Sequence, residues 1–369
     1  MVAITLATIA VVAVGISAFA MRQDASRSGV TSQPPANEIR STTHPASFAV
    51  VTEAPAAGAT GVPSNATISV QFSEPIGAHS PTPSLSPAVG GTWQVVAPTT
   101  YTFVASQPLA PSSTETVTIP GGAAGVTSAS GKQLAQGSSF QFTVAQGSTL
   151  RLQQLLAQLG YLPLTFTPAG PIAAPQEAAQ PQPGTFSWRG NEPGSLTSLW
   201  TQGSGNVIQT GAVMAFESGH GMTTDGLPGP QVWQQLLTDA QAGTMDPNPY
   251  NYVYVSESNP ETATVYSNGT QVYSTLANTG VAAVPTATGT FPVYARYKVT
   301  TMRGTNPDGS HYVDPGIPWV SYFNGGDALH GFNRASYGFP QSDGCVEMPP
   351  ANAAVVFPLT PIGTLVTVA

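Results

Sequence analysis

One cysteine and one histidine, fifteen residues apart near the C-terminus, are the side chains of this sequence best equipped for covalent chemistry. Cys345 is the only cysteine among 369 residues and stands in "SDGCVEM", Ser342 to Met348. A thiol attacks as its thiolate, so it needs a base and, against a carbonyl, backbone donors for the developing oxyanion. Gly344 permits a tight turn and a close approach of substrate to the main chain. Of the five histidines, only His311 and His330 share the last region with Cys345. His311 follows the hairpin-turn pattern "NPDGS" and is expected on an exposed turn, whereas His330 ends the apolar run in "DALHGF" and is the candidate base. Taken singly, a buried thiol and a strand-end histidine are ordinary structural residues. Together with Gly331, Ser342 and Gly344 in this order, they favour chemistry.

Two acids complicate the site. Carboxylates near a thiol disfavour its ionisation, and on a regular strand Asp343 and Glu347 would both share the cysteine's face. A turn at Gly344 would break that alternation, and a hydrogen bond from Asp343 to His330 would instead favour an imidazolium. Arg334 is a candidate anchor for a substrate carboxylate, with a solvated loop arginine as the alternative. Tyr322, with Trp319 and Phe323, either lines a substrate cleft or fills a core. Asp327 reads as a turn residue.

The elements that must position these groups are mainly β. Residues 1–21 run without a charge for about the ~20 residues that cross a bilayer, and are expected to anchor or export the chain. Residues 22–45, rich in Ser, Thr, Pro and Ala, read as a linker. Residues 46–146 alternate apolar and polar positions between Gly/Pro/Ser turns, as in an antiparallel β-sandwich. Residues 147–245 hold helical patterns: Leu152, Leu155, Leu156 and Leu159, with Gly160 as the cap, then "GAVMAFESGHG", then Val232, Trp233, Leu236 and Leu237. The Pro-rich stretch from Pro163 to Pro183 is expected to be non-helical. Residues 250–369 return to Val/Tyr/Thr/Phe-rich strands. In this region Asn268-Gly269 forms a two-residue hairpin turn and "PPANAAVVF" one short helix. With 38 Gly and 35 Pro but only 8% charged residues, long helices are disfavoured; the net charge of −8 and the lack of a basic cluster exclude a nucleic-acid partner.

Three resemblances follow from these stretches. "PAAGATGVPSNATISVQFSEPI" with "SGKQLAQGSSFQFTV" resembles a bacterial immunoglobulin-like domain, which implies a spacer facing the wall. "LQQLLAQLGYLP" with "AVMAFESGHGMTTDGLPGPQVWQQLL" resembles a peptidoglycan-binding helical module, here with a long insertion after its first helix and with bracing of the last domain as another role. His330-Gly331, then Ser342-x-Gly344-Cys345-hydrophobic, with "GTFPVYARY" and "IGTLVTV", resembles the L,D-transpeptidase catalytic domain. That last resemblance implies Cys345 as nucleophile and His330 as general acid/base. It further implies the Gly344 backbone in an oxyanion hole, the Gly331 carbonyl orienting the imidazole, and Ser342 in support. It needs no cofactor and no metal. The partners it implies are peptidoglycan stem peptides as donor and acceptor, with carbapenem-type β-lactams as inhibitors and the membrane as a further partner through residues 1–21. The activity would be 3-3 cross-linking outside the cytoplasm; the alternatives are L,D-carboxypeptidase hydrolysis and a non-catalytic wall-binding protein. The family often has histidine where Asp343 stands, and Arg or Asn where Glu347 stands.

Overall fold

The computed structural model describes residues 47–171, 174–306 and 308–369. The expected membrane segment and the whole of the linker lie outside the described residues. Among the described residues, no helix is long and apolar enough to cross a membrane.

Alternation builds the first region. Strands β1 (Val50–Ala54), β2 (Ile68–Phe72), β3 (Ser84–Ser86), β4 (Gly91–Ala97), β5 (Thr100–Ala105), β6 (Thr114–Ile119) and β7 (Ser138–Thr143) form two antiparallel sheets, ordered β1-β2-β5-β4 and β3-β6-β7. Every second residue of β2 and β6 turns inward. Ile68, Val70 and Phe72 from one sheet thereby meet Val117, Ile119, Phe140 and Phe142 from the other in one buried core.

Three longer helices follow: α1 (Thr149–Gln158), α3 (Val207–Gly219) and α4 (Pro230–Ala242), with the single turn α2 (Gly194–Thr197) before α3. Each start has a local cause. The Ser148 side chain accepts from the Arg151 N–H, Asn206 Oδ1 accepts from the Gln209 N–H at 3.0 Å, and Pro230 stands in the first turn of α4. Left-handed Gly243, at φ +70°, ends α4, and Gly160, at φ +98°, lies just past the Leu159 cap of α1. The Pro-rich stretch, expected to be non-helical, holds one helical turn as well as a strand. It contains β8 (Leu164–Pro168), which pairs with β9 (Gly184–Trp188), and a 3₁₀ turn at Pro175–Ala179, where proline's fixed φ suits the first position.

The C-terminal region holds two sheets. β10 (Asn251–Ser256), β11 (Thr262–Ser267), β12 (Thr270–Leu276), β13 (Gly289–Pro292) and β18 (Leu365–Val368) are ordered β12-β11-β10-β18-β13. β14 (Ala295–Thr305), β15 (His311–Asn324), β16 (Asp327–Gly331) and β17 (Val346–Met348) form the second sheet in chain order. The segment "TFPVYARYKVTTM" forms two strands, divided at Val293–Tyr294 so that its halves serve different sheets. Asn268 and Gly269, at φ +47° and +76°, make the expected hairpin turn. Val253, Val255 and Val265 face Phe323, Leu329, Val346 and Met348 between the sheets, with α5 (Pro350–Val356) adding Ala353 and Val356.

Candidate active site

β16 and β17 run parallel, with Leu329 opposite Val346, His330 opposite Glu347 and Gly331 opposite Met348. Because side chains alternate, Leu329 and Val346 point into the inter-sheet core, and His330 and Glu347 point to the other face. Cys345 immediately precedes β17 and shares that second face with Glu347. A cavity of about 350 Å³ opens there, lined by His330, Cys345, Arg334, Ser342, Asp343 and Glu347. The β14–β15 ribbon closes it from above with Met302, Tyr312 and Asp314.

His330 is 2% exposed. Its Nδ1 lies 3.1 Å from the Gly331 carbonyl oxygen, which can only accept, so Nδ1 carries the proton and Nε2 keeps the lone pair. Nε2 is buried and has no hydrogen-bond partner. Burial lowers the imidazole pKa below its ordinary value, against the opposing pull of the Gly331 carbonyl and the Glu347 carboxylate. Gly331 is required sterically: a Cβ there would sit 2.9 Å from Pro350 Cα and 3.1 Å from Pro318 Cγ.

The Cys345 thiol donates to the Gly326 carbonyl at 3.5 Å. Burial pushes it up to about 12; the nearby carboxylates of Asp327, Glu347 and Asp343 act in the same direction, and a backbone hydrogen bond from Ala328 opposes them. Thiol and imidazole therefore both rest uncharged. Gly344 has φ +100°, and a Cβ on it would lie 2.8 Å from Asp327 Oδ1. Both facts select glycine. Asp327 is more than a turn residue: its Oδ2 accepts from the Ala287 N–H at 3.1 Å, which fixes the carboxylate against the Gly344 turn. Ser342 is buried; its hydroxyl donates to the Cys345 carbonyl and its N–H to the Thr279 carbonyl at 3.0 Å, which pins both ends of the turn.

Both flanking acids line the cavity, and they differ in what holds them. Glu347, 4% exposed, forms a two-pronged ion pair in which Arg334 Nε and Nη2 each donate at 2.8 Å to one carboxylate oxygen. That pairing raises the Arg334 pKa. The guanidinium also donates to the Gln341 carbonyl at 3.2 Å and lies 4.7 Å from the centroid of the Phe332 ring. Phe332 in turn meets His330 edge-on at 6.1 Å. Asp343 makes no hydrogen bond to His330, whose ring nitrogens are both accounted for.

Tyr322 stands beside this cavity, half-buried against Ile317, Val320 and Ala328, near enough that the thiolate charge of Cys345 contributes to raising its pKa after burial. His311, as expected, is exposed, with Nδ1 3.1 Å from Thr305 Oγ1. Sequence reasoning missed the Arg334–Glu347 pairing and the ribbon residues Tyr312 and Asp314. The alternation Tyr312-Val313-Asp314, with only Val313 fully outward, was the available signal for the last two.

Residues 250–368 match the L,D-transpeptidase catalytic domain family, and residues 42–144 match the bacterial Ig-like domain family. No curated protein matches the chain. Among solved structures, it is similar to an L,D-transpeptidase from Mycobacterium smegmatis at 13% identity, over 88% of this chain and 100% of that one, with a TM-score of 0.30. It is similar to L,D-transpeptidase 3 from Mycobacterium tuberculosis at 14% identity, over 87% and 98%, with a TM-score of 0.30. It is also similar to the catalytic domain of an Enterococcus faecium L,D-transpeptidase acylated by ertapenem, at 26% identity over 33% and 97%, with a TM-score of 0.29. Residues 250–368 are thus an L,D-transpeptidase catalytic domain, preceded by a bacterial Ig-like domain at residues 42–144.

Proposed function

We propose that this chain is a cysteine transpeptidase of the cell wall, acting outside the cytoplasm and making 3-3 cross-links between peptidoglycan stems. The observation that carries the reading is the unpartnered, buried Nε2 of His330 beside the same cavity as the single thiol. Because both groups rest neutral, the thiol has to lose its proton as it attacks. Sγ leaves the Gly326 carbonyl and passes its proton to Nε2 while bonding to the carbonyl carbon of the third residue of a stem tetrapeptide. Backbone N–H groups of Gly344 and Cys345 hold the oxyanion. As the intermediate collapses, the proton moves from Nε2 to the departing amine of D-Ala, and a thioester remains. The side-chain amine of a second stem then attacks the thioester, Nε2 takes a proton from it, and the thiol is regenerated as the amide forms.

Ser342 and Gly331 act by position, one locking the nucleophile's turn and the other the tautomer. Arg334 serves Glu347 first, and with Tyr322 borders the path of the stem peptide. The region from 147 to 245 braces the catalytic domain, and residues 1–21 anchor or export the chain. A silenced site would require both acids to act on the thiol unopposed; the pairing of Glu347 with Arg334 supports the catalytic reading instead.

Incubation of the folded protein with a carbapenem, followed by intact-mass measurement, tests this directly. One adduct is expected, absent in Cys345→Ser. A folded chain that takes no adduct would refute the reading. Stem tetrapeptides then separate transfer, which yields dimer, from hydrolysis, which yields only tripeptide and D-Ala.

A further inference from the structure

A second cavity, of about 440 Å³, lies away from Cys345, where the loop at 106–108 of the Ig-like domain meets α1 and the C-terminal end of α4. Its unusual lining group is Arg151, a cation 1% exposed. Arg151 Nε donates to the Ala178 carbonyl at 2.8 Å, and Nη1 lies 3.4 Å from the side-chain oxygens of Gln154 and Gln158. All of these acceptors are neutral, and among the described residues no carboxylate pairs with the guanidinium. Burial alone brings its pKa down to about 10, so it remains charged at neutral pH. A buried charge without a counter-charge is costly, and a structure that keeps one next to an open cavity has a place for the missing anion.

We propose that this cavity binds the free carboxylate end of a short peptide, with the Arg151 guanidinium as its counter-charge. The walls fit that class. Ala178, Leu237 and Ala240 offer small apolar surface for a compact side chain, and Gln107, Gln158 and Gln241 offer amides able to pair with a peptide unit. The volume limits the occupant to a few residues.

Two methionines make the test site-resolved, since Met245 lines this cavity and Met302 lines the one at Cys345. The full-length chain carrying ¹³C-methyl methionine is titrated with N-acetyl-alanyl-alanine and with the same dipeptide amidated at its C-terminus. The expected result is a saturable shift of the Met245 methyl with the acid only, leaving Met302 unmoved. The shift should weaken at least tenfold in Arg151→Gln and disappear in Ala240→Phe, which fills the cavity and leaves the cation in place. Should Arg151→Gln fail to fold, the amide and Ala240→Phe still decide. The proposal is overturned if Met245 does not respond, responds equally to the amide, or still responds in Ala240→Phe. Equal displacement of the dipeptide by inorganic phosphate would likewise overturn it, by showing an unselective anion site.

Discussion

Cys345 and His330 rest as a neutral pair because the burial of His330, and the partly buried, carboxylate-flanked setting of Cys345, disfavour each charged form. The pH behaviour of the thiol follows with a definite sign. An ordinary thiol, near 9.0, is half ionised at that pH and its alkylation rate levels off about one unit above it, whereas this one is raised to about 12. The rate of iodoacetamide modification at Cys345 is therefore expected to keep climbing through pH ~11. Since the chain has no other cysteine, mass spectrometry reads this rate directly, and a plateau by pH ~10 would contradict it. In the proposed mechanism carbapenem acylation needs neutral Nε2, so it should hold steady down to about pH 6.5 and fall only below that. Stability runs the same way. The folded-state imidazole value lies below the ordinary 6.5, so the unfolded chain binds the proton more readily. The contribution of His330 is complete above 6.5 and is lost as pH falls through the depressed value. That the thiol, imidazole, Gly331, Ser342 and Gly344 would lie together as one candidate site was legible in sequence, because each is a residue type in a fixed order. The pairing of Glu347 with Arg334 was not, because it depends on a loop folding Arg334 back thirteen positions.

At the scale of elements, a short turn joins the end of one loop to the first residue of β17, and its geometry sets where Sγ points. Gly344→Ala should impair it twice: φ +100° is strained for any L side chain, and the new Cβ would press on Asp327 Oδ1 at 2.8 Å. Asp327 is itself held by the Ala287 N–H, so it cannot yield freely. The expected loss is about 1–3 kcal/mol of stability, measured by urea unfolding, with acylation slowed by more than tenfold. Wild-type acylation in Gly344→Ala would mean the turn is not what places the Cys345 thiol. The periodic elements were the legible ones: β2, β10 and the helices α1, α3 and α4 appear where period two or the helical spacing put them. Elements defined by partners were harder to see. β8 and β9 exist because they pair across the Pro-rich insertion, and β13 and β14 are separate because Val293–Tyr294 turns the chain from one sheet to the other.

At the scale of the molecule, the helical region and the catalytic region share a core. Tyr252 of β10 and Leu365 of β18, both with no exposed surface, belong to the same buried cluster as Leu155, Ile208, Phe216 and Trp233. β10 thus presents Tyr252 to the helices and Val253 to the other sheet, so the five-stranded sheet is covered on both faces. The approach is close enough to need glycine on both sides: a Cβ on Gly211 of α3 would lie 2.5 Å from the Gly363 carbonyl, and one on Gly363 would lie 2.2 Å from that of Gly211. The Tyr252 hydroxyl adds a 2.9 Å hydrogen bond to Ser195 Oγ. Removing the helices would return Tyr252 and Leu365 to water. At roughly 1.5–3 kcal/mol for a large apolar side chain, the two together approach the ~5–15 kcal/mol that holds a typical domain folded. A fragment of residues 250–369 is therefore expected to lose carbapenem acylation of Cys345 at a lower urea concentration than the full chain. An equal midpoint in the two proteins would show that the shared core contributes nothing to the catalytic domain. A lower midpoint regained by adding residues 147–249 back to the fragment would locate the support in the helices rather than in the Ig-like sandwich.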